Sequence, residues 1–262
     1  MGALRIDRDD DLLRITLARP ETRNAFDTEL IAELSDAFVD VGKARAVLLA
    51  GDGPSFCAGA DVEWMRASVD LDREANVADA NALRGMLEAI DRCPVPVVAV
   101  VHGHALGGGV GLVAVADIVL ADPGTVFAFS EVKLGIVPAV ISPYALRRIG
   151  ATHARRYFLS GERFDAHEAR RIGLVSERCA FEDLDGVVVK IVEEMLAAGP
   201  EAIARIKGLI HKFSLVDFEN YRQITPGQIA QARTGEEGQA GLASFRDKVP
   251  PPWMPRPEPL AP

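Results

Sequence analysis

Apolar and polar positions alternate in two rhythms along this chain. Residues 4–6 and 12–17 are short apolar runs flanking Asp9, Asp10 and Asp11, which reads as a hairpin opening a sheet. Over residues 28–41 the apolar positions fall at Leu30, Ile31, Leu34, Ala37, Phe38 and Val41, the period of a helix with one buried face. Asp27 stands where an N-cap is needed. Residues 46–50 are a short apolar strand, and the valine-rich residues 97–101 lack alternation, as expected of a strand buried on both faces. Helical patterns occupy residue 62 onward, broken by a polar stretch at 68–72, and residues 78–92, ended by Pro94. Residues 102–109 read as a loop and 110–116 as the start of a helix, with short strands at 118–121 and 126–129. The remainder reads as helices at 142–148, 151–160, 166–172, 184–198, 200–212 and 218–231. Strand–helix alternation in the first half implies an α/β fold with parallel or mixed strands. The expected division is a core over residues 1–195 and a helical lobe over 196–262. The lobe ends in a tail with seven prolines after Lys248, which excludes a regular helix or a central strand there.

At 262 residues the chain can bury a full core. Its 38 acidic and 29 basic residues leave a net charge of −9, which argues against a nucleic-acid backbone as partner. A small anionic ligand in a local basic pocket stays possible. Residues 95–116 carry no charged side chain and are long enough to span a bilayer, but Pro96, His102, His104 and five glycines interrupt them. A buried strand–loop–helix fits better than a membrane segment. Three cysteines, Cys57, Cys93 and Cys179, cannot pair completely, which suits a reducing, cytoplasmic setting. His102 and His104 have no third ligand near in sequence, so no metal site is expected. No Gly-x-Ser-x-Gly elbow is present, and Cys57 reads as a small buried hydrophobe.

Two glycine loops carry the candidate chemistry: SFCAGADVEWM over residues 55–65 and HGHALGGGVGL over residues 102–112. Each follows an apolar strand and opens a helix. A helix start presents unpaired N–H donors and a partial positive charge, and glycine lets backbone approach a ligand. Two such ends facing one point make an oxyanion hole. Taken alone, either loop is equally well a tight turn. The Gly109-x-Gly111-x-x-Ala114 spacing also fits a dinucleotide pattern, but it lies inside a helix and not at its opening turn.

The pair, together with ARPETRNAF, PVPVVAVVHGHALGGG, ADIVLA, FAFSEVKLGIVP and GERFDAHEARRIGLV, resembles the enoyl-CoA hydratase/isomerase (crotonase) superfamily across most of residues 4–250. The resemblance implies a ClpP-like ββα spiral core and a helical C-terminal region that builds homotrimers, often paired as hexamers. It implies an acyl-CoA substrate, with coenzyme A arriving as part of the substrate and no separate cofactor. It places oxyanion donors at the N–H groups of Ala60 and Gly108. It places CoA contacts at Arg23, Ala25, Ala58, Asp61, Val62 and Leu106, with Phe245 and Lys248 reaching a neighbouring subunit's CoA. Trp64 and Met65 either line the acyl pocket or are ordinary packing.

The same resemblance singles out Glu131 as the acid/base residue, expected in an apolar pocket with a raised pKa. Without it, Glu131 reads as a surface carboxylate pairing with Lys133. Typical hydratases of the family have a further glutamate three residues past the oxyanion glycine. That position is Gly111 here. Three readings follow. The chain is a hydratase in which Gly111 makes room for a bulkier or carboxylated acyl group and Ser142 or Tyr144 helps position water. Or it is an isomerase using Glu131 alone. Or it is a non-catalytic acyl-CoA-binding protein. The GGGVGL and SEVKLG…PAVISPY segments are similar to those of bacterial methylglutaconyl-CoA and isohexenylglutaconyl-CoA hydratase-like members.

Overall fold

The computed structural model describes residues 2–213 and 221–254. Strand β1 (Leu4–Asp9) pairs antiparallel with β2 (Leu12–Leu17), Leu4 opposite Leu17, as the flanked acidic corner predicts. Helix α1 (Thr28–Val39) is capped by Asp27, whose carboxylate accepts the Leu30 N–H at 2.9 Å. Strand β3 (Ala46–Gly51) leads to α2 (Val62–Ala67) and α3 (Arg73–Asp91). Helix α3 starts five residues before the apolar period does. Asp72 accepts the Ala75 N–H, and the first turns carry polar residues facing solvent, so the hydrophobic signal is silent there.

The expected loop after β4 (Val97–Val101) contains a strand, β5 (His104–Leu106), before α4 (Gly108–Val115). Next come β6 (Ile118–Ala121), β7 (Val126–Ala128) and α5 (Ser142–Ser160). Helix α5 breaks at Gly150 (φ 67°, ψ 165°), which reproduces the two helical pieces read from the sequence. Two further strands go unseen in the sequence pattern: β8 (Phe164–Asp165) and β9 (Glu177–Arg178), on either side of α6 (Ala166–Arg171). A strand of two residues has no period to detect.

The strands form a six-stranded sheet, β1-β2-β3-β4-β6-β9, parallel after the first pair, and a three-stranded sheet, β5-β7-β8. Single bridges Phe26–Ala60 and Cys57–Ala105 extend the second layer. Each pass of the chain gives one strand to the large sheet, one short strand or bridge to the second layer, and then a helix. This is the ββα spiral expected. The core packs Leu13, Ile15, Leu49, Val97, Ala99 and Val101 against Leu30, Leu34, Met86 and Leu87. After its first residue α4 is buried on every side. The uncharged residues 95–116 are therefore interior, and no described helix is long and apolar enough to cross a membrane.

The chain divides into two compact units, Met1–Val188 and Val189–Pro262. Helix α7 (Leu184–Ala197) spans that boundary. The second unit contains α8 (Pro200–Phe213), α9 (Tyr221–Thr234) and α10 (Glu236–Asp247), the last not expected from the sequence. The Glu237 carboxylate accepts the N–H groups of Glu201 and Ala202 at 2.7 Å, tying α10 to the start of α8. Trp253 donates to the Ala197 carbonyl at 3.2 Å, so the start of the proline-rich tail is packed down. The start of the helix expected at 218–231, residues 218–220, and the end of the tail, residues 255–262, lie outside the described residues.

Candidate active site

The site begins with a turn that no apolar pattern announces. Arg23 and Asn24 are consecutive residues in the left-handed region (φ 54° and 56°), each costing about 1–2 kcal/mol in strain. Asn24 offsets this. It is fully buried, its amide donates to the carbonyls of Asp52 and Ser55 at 2.9 and 2.8 Å, and its oxygen accepts the Arg19 N–H at 2.9 Å. That turn delivers Phe26 to its bridge with Ala60: the Phe26 N–H donates to Gly59, and the Asp61 N–H donates back to Phe26.

The two glycine loops interlock. The Cys57 N–H donates to His104, and the Leu106 N–H donates to Cys57, both at 3.0 Å. A methyl group on Gly59 would stand 2.9 Å from the Leu106 carbonyl oxygen, and one on Gly109 would stand 2.4 Å from that of Cys57. Backbone lies against backbone, so glycine is required. Gly59 and Gly107 also hold positive φ, 96° and 50°. Ala60 and Gly108 each lie one residue beyond this crossing. Both are half-buried, and among the described residues neither N–H has an acceptor. Gly108 opens α4, where unpaired donors and the helix dipole favour negative charge.

Glu131 lies on the turn after β7. Its Oε1 is 3.4 Å from where a methyl on Gly107 would stand, which sets the carboxyl group over the mouth of α4. Its Oε2 is buried with no hydrogen-bond partner. Burial pushes its pKa up, opposed in part by its own backbone N–H. Native proteins rarely leave such an atom unsatisfied without a function for it. The alternative of a surface ion pair does not hold: no described ion pair joins Glu131 to Lys133, whose stem lies against Gly161.

The structure corrects the reading of Gly111. It opens no space for an acyl group. A methyl there would stand 2.6 Å from Ile141 Cγ2 and 3.6 Å from Leu87 Cδ1, so Ile141 already fills the volume. The Tyr144 ring lies 5.6 Å from the Arg147 guanidinium, and burial, followed by Asp91 and Glu88, raises its pKa. The Ser142 hydroxyl donates to the Ala139 carbonyl at 2.8 Å.

The remaining expected contacts are placed as follows. Arg23 is exposed and its carbonyl accepts the Ala58 N–H, while Ala25 is buried. Leu106 is half-buried at the loop crossing, and Val62 is exposed. Asp61 caps α2 by accepting the N–H groups of Glu63 and Trp64 at 2.8 and 3.2 Å, and Trp64 packs against the core. Phe245 is 85% exposed on α10, and Lys248 ends that helix in a left-handed turn, both in the Val189–Pro262 unit. His102 bonds the Gly53 carbonyl and His104 the Ser55 hydroxyl, and no metal-binding cluster occurs among the described residues. Cys57 is fully buried and its thiol is pushed up to about 12 by burial, which suits packing and not nucleophilic attack. Asn24 and Ile141 are the residues that sequence reading missed. For Asn24 the only signal was its type, one of the few that tolerates a left-handed turn.

Residues 7–256 match the family described as enoyl-CoA hydratase/isomerase. A crystal structure of an enoyl-CoA hydratase from Shewanella pealeana superposes with a TM-score of 0.92 at 36% identity, covering 96% of each chain. Pseudomonas aeruginosa AtuE superposes at 0.93 with 34% identity, covering 97% of this chain and 100% of the other. The mevalonyl-coenzyme A hydratase sidH of Aspergillus fumigatus is 32% identical over 253 residues, 93% of this chain and 92% of the relative.

Proposed function

Because this chain belongs to the enoyl-CoA hydratase/isomerase family, we propose that it adds water across the α,β double bond of an acyl-CoA, with Glu131 moving the proton. The observation that carries this reading is the buried, partnerless Oε2 of Glu131 beside an α4 mouth whose Gly108 N–H is unspent. The thioester oxygen sits between the N–H groups of Ala60 and Gly108. Glu131 takes a proton from water as the water oxygen bonds to the β-carbon, and negative charge moves onto the thioester oxygen. Glu131 then returns a proton to the α-carbon as that charge collapses. The two donors bind the enolate better than the ground state, and each is worth about 3 kcal/mol. Coenzyme A enters and leaves with the acyl group, and the exposed Arg23 meets its phosphates.

The motif likeness over GGGVGL and SEVKLG…PAVISPY supports a branched or glutaconyl-type acyl chain. Room for that chain does not come from Gly111. A second reading, double-bond isomerisation, is favoured by one observation: residue 111 is glycine, packed under Ile141, so α4 carries no carboxylate there and Glu131 acts alone. In that reaction Glu131 removes a proton from C2 of a 3-enoyl-CoA and delivers one to C4.

Crotonyl-CoA, 3-methylglutaconyl-CoA and a 3-enoyl-CoA, each assayed with the native enzyme and Glu131→Gln, test the proposal. Hydration is expected for one of the first two, with a loss of about 10²–10⁴-fold in Glu131→Gln. Conversion of the 3-enoyl ester alone would replace hydration by isomerisation. Unchanged turnover in Glu131→Gln would remove Glu131 from the chemistry.

A further inference from the structure

Resting on the reading of Glu131 as the acid/base group, we propose that Ile141 is a positioning residue: seated on Gly111, it anchors the segment that holds the Glu131 carboxylate over Gly107.

Residues 131–141 touch α4 at both ends. At the near end Glu131 Oε1 stands 3.4 Å from the methyl position of Gly107. At the far end Ile141 Cγ2 and Cβ stand 2.6 and 3.3 Å from the methyl position of Gly111. Gly107 immediately precedes α4, with φ 50° and ψ −119°, and its carbonyl accepts the Gly111 N–H at 3.3 Å, which ties the two glycines together. The near end is held from behind, since the Gly107 N–H donates to Ala128 and Phe129 is buried against Phe158.

The middle of the segment is packed on one side only, where Val132 Cγ1 and the Lys133 stem lie against Gly161. It bonds mainly to itself, Ile136 N–H to the Glu131 carbonyl at 3.2 Å and Ala139 N–H to Val137 at 2.8 Å. Val132, Leu134, Ile136 and Val137 are all exposed. Glu131 Oε2 has no hydrogen bond to orient it. The direction of the carboxyl group is therefore set where its segment is packed, on Gly161 beside it and, at the far end, on Gly111 through Ile141. Ile141 is 2% exposed, and its carbonyl accepts the Ala145 N–H, which locks its backbone into α5. A β-branched side chain is stiff at χ1, so Ile141 does not readily leave this space by rotating.

The contact predicts reciprocal effects. Ile141→Ala leaves a hole, Gly111→Ala makes a clash, and the double variant puts the new methyl into the new hole. On whichever of crotonyl-CoA and 3-methylglutaconyl-CoA turns over faster, Ile141→Ala and Gly111→Ala should each lower kcat by tenfold or more, with KM within about threefold. Ile141→Val should stay near the native value, and the double variant should exceed Gly111→Ala by at least fivefold. Thermal melts establish that each protein is folded. If Ile141→Ala alone fails to fold, the double variant and Ile141→Val carry the test. Retention of kcat within twofold in folded Ile141→Ala, or a double variant no better than Gly111→Ala, overturns the proposal. Glu131→Gln in the same assay separates the two ideas. Its inactivity beside an unaffected Ile141→Ala sinks only the positioning role, whereas its full activity sinks the premise.

Discussion

Glu131 combines two properties at one side chain: a raised pKa from burial and an oxygen that nothing in the fold satisfies. Both make the charged form costly in the folded chain. The folded pKa lies above the unfolded one, so the stability linked to this group is fully present below the ordinary glutamate range. It is lost as pH rises through the raised value. Glu131→Gln stays neutral throughout. The melting temperature of the variant minus that of the native protein should therefore grow with pH across that window and then level off. A difference that is flat with pH would show that the carboxyl group is solvated. Asn24 illustrates the opposite case, a buried polar side chain whose three hydrogen bonds make a strained turn affordable.

Among the elements, the two glycine loops matter because each is the other's mould. The Gly109 methyl position is 2.4 Å from a backbone oxygen of the first loop, and backbone cannot rotate aside as a side chain can. Gly109→Ala should therefore force the loops apart, costing about 1–3 kcal/mol or more by denaturant unfolding. It should also cost more in kcat than in KM, because Ala60 and Gly108 lie one residue from the crossing on either loop. A variant with native stability and native kcat would mean that the loops have slack. The free N–H groups at the start of α4 are then the product of two constraints. A helix start leaves its first donors unpaired, and the interlock fixes the backbone that carries them, beside which Glu131 stands.

At the scale of the whole molecule, α10 presents an apolar surface. Phe245 is a large apolar side chain left almost fully exposed in the single chain. We propose, as the family resemblance implies, that it and Lys248 reach a neighbouring copy in a trimer or hexamer and complete its CoA site. Phe245→Asp should leave the fold of the single chain within about 0.5 kcal/mol, since an exposed position carries little stability. It should raise KM for the acyl-CoA and lower the mass found by sedimentation. A native KM at a native mass would leave Phe245 an ordinary surface residue.

The amino-acid order alone determined the features that depend on neighbours within a few residues. The helical periods, the unalternating β4, the Asp27 cap and the two glycine loops that open helices are of this kind, and with them came the family and Glu131. Tertiary structure decided what depends on distant partners. Strands β5, β8 and β9 are too short to have a period and exist because a neighbouring strand supplies their hydrogen bonds. Burial of Glu131 follows from the packing around β7 and α4, where the sequence without the family resemblance favoured a surface ion pair. Gly111 is the sharpest case. In the sequence it is a missing side chain and suggests room. In the fold, Ile141, thirty residues away, fills the volume, because a close-packed interior leaves no such space empty.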